Sequence, residues 1–320
     1  MLHEGPSIFL GYSFGRGNPK PWEYFKIPYL MINAYDIITR IPNKNVHKAL
    51  SYDGFVCCDS GGWQILQGKK IDILEVIEVQ RKLRPDLAVM LDNGLDETKN
   101  IENLKLYIKK ADFDFIPAFP YYTSKKTLEK ISKLCDPIMI GIGGIVPVLR
   151  APINLVEFKN VITSIKNIKE HFPDTKLHVF GVGGLYIAMI LFLFVDSLDT
   201  SSWLHDAKYG KIRLFGKGVY GTHPMDYNPH INKESYNCKC PICRKHSLEE
   251  LDERGISSMQ LRASHNAWIL LKEMEQIRKE MKSGSYLEYI NDRVKSRPRH
   301  ILKFVFDKFG DEIAEVNWRI

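Results

Sequence analysis

The feature that most constrains the fold is a series of short apolar runs, each bounded by Gly, Pro or Asp. The runs are "FVCCD" (55–59), "LAVMLD" (87–92), "FDFIPAF" (113–119), "PIMIGIGG" (137–144), "KLHVFGVGG" (176–184) and "LFVDSLD" (193–199). Runs of this kind, rich in β-branched and bulky residues, are typical of β-strands. Their apolar residues are continuous rather than alternating, which predicts strands buried on both faces, as in a parallel sheet.

Amphipathic stretches separate these runs and predict helices. Asp72 is a candidate N-cap for a helix over 73–83 with one apolar face. A second apolar stripe at helical spacing extends from Phe158 to Ile168. Strand and helix patterns that alternate along a chain predict βαβ units.

The residues at the ends of the apolar runs favour an α/β fold of the (β/α)8 TIM barrel type over an open sheet. Those residues are Asp59, Asp92, Gly143-Gly144, Gly183-Gly184 and Asp199. A barrel brings all the carboxyl ends of its strands to one face and builds its active site there. An open sheet would spread them along an edge. A chain of 320 residues is long enough for one such barrel.

The pattern changes after Asp199. The segment "KIRLFGKGVYGTHPMDYN" (211–228) predicts short strands and turns, and a helix is predicted to begin at Ser264. We therefore predict the main part of the barrel over 1–210 and an inserted zinc-binding subdomain over 211–263. Residues 264–320 are predicted to form C-terminal helices that complete the barrel, with a basic tail.

Three of the six cysteines lie close together in "NCKCPICRKH". Cys238, Cys240 and Cys243, with His265 at the start of the predicted helix, would form a closed tetrahedral set suited to structural Zn²⁺. His246 is the competing fourth ligand, because it is nearer in sequence. The remaining cysteines, Cys57, Cys58 and Cys135, are predicted to be small buried apolar residues.

Two acids end apolar strands and invite a catalytic interpretation. Asp59 and Asp199 would meet at one barrel mouth, where one carboxylate can attack an anomeric carbon while the other handles a proton. Gly61-Gly62 would let a flat substrate approach the backbone, and Trp63 could stack on it. Asp196 is the nearest rival for the nucleophile.

Charge and hydropathy set broader limits. The net charge of +7 permits a polyanionic partner such as nucleic acid without requiring one. The N-terminus has no signal-peptide pattern, and the longest apolar run, from Leu185 to Val195, is too short to span a bilayer. We expect a cytoplasmic protein without a membrane partner.

At this point the residues match a known family. "DSGGWQ" (59–64) resembles the signature of the tRNA-guanine transglycosylases, which are (β/α)8 barrels with an inserted Cys3His zinc subdomain. "VMLDNG", "IGIGGI", "VFGVGG", "DSLDTSSW", "CKCPIC" and "SHNAW" resemble further family motifs and occur in the same order. The resemblance therefore extends over most of the chain.

The resemblance implies a base exchange in nucleic acid. Asp199 would be the nucleophile and Asp59 the general acid/base, while guanine leaves and a free 7-deazaguanine base enters. The implied base-binding residues are Ser60, Trp63, Asp92, Gly143, Gly144, Ile145 and Phe180. Among them Asp92 would read the guanine edge, and Phe180 would close one face of the base.

The departures from the family pattern bear on the polymer. Ala118 stands about where the tRNA enzymes have a guanine-reading Gln, and Asn93-Gly94 follows Asp92 in place of the usual residues. By its length we also expect a protein shorter than the bacterial tRNA enzymes and without the C-terminal RNA-binding domains of the archaeal ones. These features slightly favour the branch that inserts 7-deazaguanines into DNA, with tRNA as the alternative.

Other interpretations remain open. The chain could be a non-catalytic partner subunit, although Asp59, Asp92 and Asp199 are all present. It could also be a small-molecule barrel enzyme with a zinc insert. A homodimer near the zinc site is possible, and Trp268 would be buried either there or in ordinary core.

Overall fold

The core of the fold is a barrel in which all neighbouring strands are parallel. The structure is a computed structural model and describes residues 5–14, 18–40, 42, 44–94, 96–149, 152–221, 231, 236–294 and 299–315. The strands are β1 Ser7–Gly11, β2 Tyr29–Asn33, β3 Phe55–Asp59, β4 Leu87–Val89, β5 Phe115–Ile116, β6 Ala118–Pro120, β7 Met139–Gly143, β8 Lys176–Val179 and β9 Ser197–Thr200. Their order is β5-β4-β3-β2-β1-β9-β8-β7-β6.

The two ends of this order are adjacent in the chain, which nearly closes the barrel. Only Pro117 separates β5 from β6, and proline has no N–H to donate to a strand ladder. β5 pairs with β4 through Ile116 and Val89, and β6 pairs with β7 through Ala118 and Gly141. Residues 115–120 therefore act as one interrupted strand, and the predicted (β/α)8 barrel is confirmed.

Two strands were not among the six predicted. β1 and β2, "SIFLG" and "YLMIN", are five residues each, too short for periodicity alone to distinguish them from buried helix. The predicted strand over 193–199 was partly wrong, because β9 begins only at Ser197. The amides of Phe194 and Val195 donate hydrogen bonds to the carbonyl of Leu191, the last residue of the preceding helix, so these residues are not free to pair in the sheet.

Helices follow most strands and cover the outside of the barrel. They are α1 Val46–Leu50, α2 Gly62–Leu66, α3 Ile73–Leu83, α4 Glu97–Lys110, α5 Lys125–Leu134, α6 Leu155–His171, α7 Leu185–Leu191, α8 Ser202–Lys208, α9 Leu248–Asp252, α10 Ile256–Lys282, α11 Tyr286–Arg293 and α12 Arg299–Glu315, with short 3₁₀ turns at Pro21–Glu23 and Ile38–Arg40. The predicted cap is present, since the Asp72 carboxylate accepts a hydrogen bond from the Leu74 amide.

One helix boundary differs from the prediction. α10 begins at Ile256, not Ser264, so His265 lies well inside the helix rather than at its start. The weak helix formers Ser257 and Ser258 obscure the first turn in the sequence. The chain enters α10 through Gly255 at φ +133°, a conformation that side chains rarely tolerate.

Two apolar layers hold the barrel. The inner layer fills the barrel with side chains such as Phe9, Tyr29, Met31 and Cys57. The outer layer packs the helices onto the strands and contains the buried Cys58. Cys57 and Cys58 are thus buried as predicted, on opposite faces of the same strand, whereas Cys135 is only half-buried.

The region after α8 starts with an antiparallel hairpin, β10 (Lys211–Leu214) and β11 (Gly218–Gly221), as the sequence predicted. The predicted subdomain over 211–263 and the C-terminal segment over 264–320 lie partly outside the described residues, so these boundaries stay predictions. Among the described residues, no helix is long and apolar enough to cross a membrane.

Candidate active site and metal centre

The carboxyl ends of the strands open onto a cavity of about 340 Å³, here called the central cavity. Residues from β2, β3, β4, β6, β7 and β9, from α2 and from the loops that follow the strands line it. They include Asn33, Asp59, Trp63, Asp92, Phe180 and Asp199. The two candidate catalytic acids, Asp59 and Asp199, therefore line the same cavity, and their roles stay predictions.

Asp59 ends β3 and lies partly buried in this cavity. Asn33, the last residue of β2, donates from Nδ2 to Asp59 Oδ2 at 2.9 Å. Burial, followed by repulsion from the carboxylate of Asp199, raises the pKa of Asp59 from 3.8 to about 7. A carboxyl group with such a pKa can both hold and release a proton near neutral pH.

Asp199 is held by backbone and lies on β9, which borders both β8 and β1. Its Oδ1 accepts a hydrogen bond from the Gly181 amide at 2.8 Å, and its side chain is 16% exposed. The rival Asp196 precedes β9 at its amino end, where Oδ2 accepts from the Leu177 amide. Asp196 is therefore not among the residues that line the central cavity.

Asp92 lies at the wall of the cavity and is buried, with 8% exposure. A side chain at Gly62 would place its Cβ only 1.8 Å from Asp92 Oδ1, and one at Gly143 would lie 3.1 Å from Oδ2. These two glycines therefore make room for the carboxylate. Burial raises the pKa of Asp92 to about 6.

The predicted base-stacking residues, Trp63 and Phe180, also line the cavity. Phe180 can lie there because Gly141 has no side chain, since a Cβ at that position would approach the ring within 2.4 Å. Of the other predicted base-binding residues, Gly144 lines the cavity, whereas Ser60 donates its hydroxyl to the Met90 carbonyl.

Ile145 is fully buried in the outer apolar layer and is not among the residues that line the central cavity. Any role in base binding would therefore fall to its backbone. Its predicted role, like those of the other site residues, stays a prediction.

A second cavity of about 300 Å³, the side cavity, adjoins the first. The two share several lining residues, among them Asp59 and Asp199. The far wall of the side cavity carries His205 and Lys208 from α8. A ligand that spanned both cavities would therefore pass beside both acids.

The three clustered cysteines and His265 converge on one point, here called the Cys3His cluster. Their ligand atoms all lie within 4.8 Å of one another. His265 Nδ1 is 3.8, 3.3 and 3.4 Å from the sulfurs of Cys238, Cys240 and Cys243 respectively. His246, the competing candidate, instead approaches Glu250 Oε1 at 3.1 Å.

The donor set of the Cys3His cluster fits zinc. Bonds of about 2.3 Å to sulfur and about 2.1 Å to nitrogen in a tetrahedron place sulfur and nitrogen about 3.6 Å apart. The Nε2 of His265 lies 2.8 Å from the Arg213 carbonyl, which requires Nε2 to carry the proton and leaves Nδ1 as the ligand. The cluster could therefore hold a metal ion that joins the 238–243 loop to α10. The hydrogen bond from His265 links the same helix to β10.

Comparison with known proteins identifies the family. The profile described as queuine tRNA-ribosyltransferase, the TGT family, matches residues 122–299, which is more than half of the chain. This chain belongs to the queuine tRNA-ribosyltransferase family. The match includes Asp199 and the Cys3His cluster.

Curated relatives of this family extend the match. A tRNA-guanine(15) transglycosylase from Pyrococcus furiosus is 26% identical over 88% of this chain and 50% of its own length. Enzymes of the same name from Aeropyrum pernix and Saccharolobus solfataricus are 26% and 28% identical, covering 84% and 79% of this chain and 55% and 54% of their own lengths. The chain thus spans about half the length of these relatives.

The sequence analysis assigned no role to three polar residues of this queuine tRNA-ribosyltransferase family member. Asn33 and Gln64 lie beside Asp59, and Asn33 Nδ2 is 3.5 Å from Gln64 Oε1. His178 lies behind Asp199, 3.4 Å from Nε2 to Oδ1. Asn33 ends an unpredicted strand and His178 interrupts a predicted apolar one, so for these two the signal was a single polar residue inside a strand. Gln64 is the last residue of the motif "DSGGWQ", which did mark it.

Proposed function

We propose that this chain exchanges a guanine base in nucleic acid through a covalent intermediate on Asp199. The observation that carries the proposal is the meeting of Asp59 and Asp199 in one cavity, with Asp92 at its wall. The names of the archaeal relatives, which are guanine transglycosylases, support the same reaction.

In the first half of the reaction, an oxygen of Asp199 attacks the anomeric carbon of the target nucleotide. The bond from that carbon to guanine breaks, and its electron pair leaves with the base. Asp59 supplies a proton to the departing guanine, a role that suits its pKa of about 7. The target base must be out of its stack, at a cost of roughly a few kcal/mol.

In the second half, a 7-deazaguanine base takes the place of guanine. Asp59, now ionised, accepts the proton from the attacking nitrogen, which bonds to the anomeric carbon and releases Asp199. The same two carboxylates therefore serve both directions, and the proton that left with guanine is recovered.

Base recognition would use the walls of the central cavity. Asp92 would accept hydrogen bonds from the N–H groups on the guanine edge, and its pKa of about 6 leaves it mostly ionised at neutral pH. Trp63 and Phe180 would bound the faces of the base. The small, buried Ala118 would leave part of that edge unread by a side chain.

The polymer we propose is tRNA, which reverses the slight preference for DNA drawn from the sequence. The curated relatives described above are all named as tRNA enzymes, and none of those names refers to DNA. Lys208 and His205 in the side cavity could face the phosphates next to the target nucleotide.

We further propose that the Cys3His cluster holds structural Zn²⁺. The four donors close the coordination shell and leave no site for substrate water. A homodimer near this cluster stays a prediction. Trp268 is partly buried there, with its ring 5.1 Å from that of Phe25 and the Lys272 ammonium 4.7 Å above it.

The test is incorporation of labelled guanine into tRNA or duplex DNA at matched salt, with Asp199→Asn as the inactive control. We expect label in tRNA, with binding that weakens steeply as salt rises. Label in DNA alone would overturn the proposal that tRNA is the polymer. Label in neither, from folded protein loaded with zinc, would favour a non-catalytic partner subunit and contradict the proposal.

A further inference from the structure

His178 is a polar residue enclosed in the interior of the barrel. It lies on β8 and has no exposed surface. Its ring centroid is 5.4 Å from that of Phe9 and 4.6 Å from that of Phe180. A buried imidazole among aromatic rings is unfavourable unless both of its nitrogens find partners.

Both nitrogens of His178 face the neighbouring strand β9. The two strands pair in parallel, with His178 opposite Ser197. Nδ1 lies 2.9 Å from the Ser197 hydroxyl oxygen, and Nε2 lies 3.4 Å from Asp199 Oδ1. Because Ser197 and Asp199 are two residues apart, they project from the same face of β9, towards the imidazole.

The contact between Nε2 and Asp199 is close but does not form a well-aligned hydrogen bond. Nε2 is buried and has no hydrogen-bond partner among the residues that the structure describes. The carboxylate oxygen that it approaches, Asp199 Oδ1, already accepts from the Gly181 amide. Hydrogen bonds in free active sites are often long and tighten when substrate binds.

We propose that His178 is a positioning residue for the nucleophile, an inference that rests on the proposed base exchange. The Ser197 hydroxyl donates to Nδ1, which fixes the proton on Nε2. Nε2–H and the Gly181 amide then hold Asp199 Oδ1, so Oδ2 is the oxygen aimed at the anomeric carbon. When the Asp199 ester forms, Oδ1 becomes its carbonyl oxygen and keeps the same two donors. His178 itself neither gains nor loses a proton.

The alternative is that His178 only fills space between the aromatic rings. Two substitutions, His178→Gln and His178→Asn, distinguish these roles. Both replace the imidazole ring with a polar amide, but the two amides differ in reach. A Gln amide nitrogen can reach the position of Nε2, whereas the shorter Asn reaches only the position of Nδ1. His178→Gln should therefore keep the contact to Asp199, and His178→Asn should lose it.

The kinetic experiment measures single-turnover formation of the covalent adduct with tRNA. We expect His178→Asn to slow adduct formation about 10- to 100-fold, as for loss of a hydrogen bond to a charged group. His178→Gln should stay within about 3-fold of the parent, and KM for tRNA should change little in either variant. Equal rates in the two variants would overturn the proposal.

A second measurement does not depend on activity, so it separates failure of this inference from failure of the proposed function. Long-range ¹H–¹⁵N NMR of the full chain should show the His178 proton on Nε2, and Asp199→Ala should shift that resonance. A proton on Nδ1 alone, or no response to Asp199→Ala, would contradict the positioning role even if base exchange is confirmed.

Discussion

The central cavity and the Cys3His cluster are assembled in opposite ways. The cavity collects acids from distant strands, from Asp59 on β3 to Asp199 on β9. The cluster takes three cysteines from one short loop, 238–243, and adds a single histidine from α10. One site is assembled by the whole barrel, whereas the other is assembled by one loop and one helix.

The two sites also differ in how the charges of their side chains are balanced. In the cavity, the Asp199 carboxylate and burial both disfavour the ionised form of Asp59, so the site is maintained at some cost in stability. In the Cys3His cluster, a bound cation would compensate the thiolates, so filling the site would stabilise the fold. Mutations should therefore affect activity at the first site and folding at the second.

The largest expected effect is the loss of activity in Asp199→Asn, a substitution in the central cavity that should leave stability intact. Asp199→Asn should abolish the adduct trapped under denaturing conditions and lower exchange on the order of 10⁴-fold or more, since it removes the nucleophile. The free energy of unfolding should not fall, because the substitution also removes a charge that opposes Asp59. An adduct that persists in this variant would show that Asp59 or Asp196 is the nucleophile.

The next effect is on folding. Cys240→Ala should release the metal, lower the melting temperature and reduce activity only in proportion to the protein that unfolds, because metal binding is coupled to folding. His246→Ala is the matched control and should retain one zinc per chain by elemental analysis. If the parent chain contains no zinc when purified without chelator, the predicted ligand set fails.

The smallest expected effect is a pH dependence of stability in the cavity. Folding raises the pKa of Asp59 from 3.8 to about 7, so the folded state holds this proton more tightly than the unfolded chain. The resulting stabilisation is fully present below pH 3.8 and is lost as the pH rises through about 7.

Asp59→Asn mimics the protonated form, so its free energy of unfolding should not show this loss. From pH 5 to pH 8.5, the free energy of unfolding of the variant should therefore rise relative to that of the parent by on the order of 1–3 kcal/mol. Chemical unfolding at the two pH values measures this difference. If the stability difference is the same at both pH values, burial and the Asp199 carboxylate do not raise the pKa of Asp59. Turnover should fall in the same variant, while the adduct with Asp199 can still form.

The sequence located the main elements of both sites because their signals are local. A carboxylate at the end of an apolar strand marked Asp59 and Asp199, and the cysteine spacing marked Cys238, Cys240 and Cys243. These patterns depend on a few adjacent residues and on the rule that parallel strands end at one face. The resemblance to a known family then added the roles of Asp92 and Phe180.

Only the tertiary structure brought in residues whose neighbours are remote along the chain. Asn33 reaches Asp59 because β2 pairs with β3 in register, and His178 reaches Asp199 because β8 pairs with β9. No local pattern records which polar residue of one strand lies opposite an acid of the next. The sequence by itself therefore determined which acids and cysteines are candidates for the two sites, whereas strand register, a property of the nearly closed barrel, decided which polar residues lie beside the two acids.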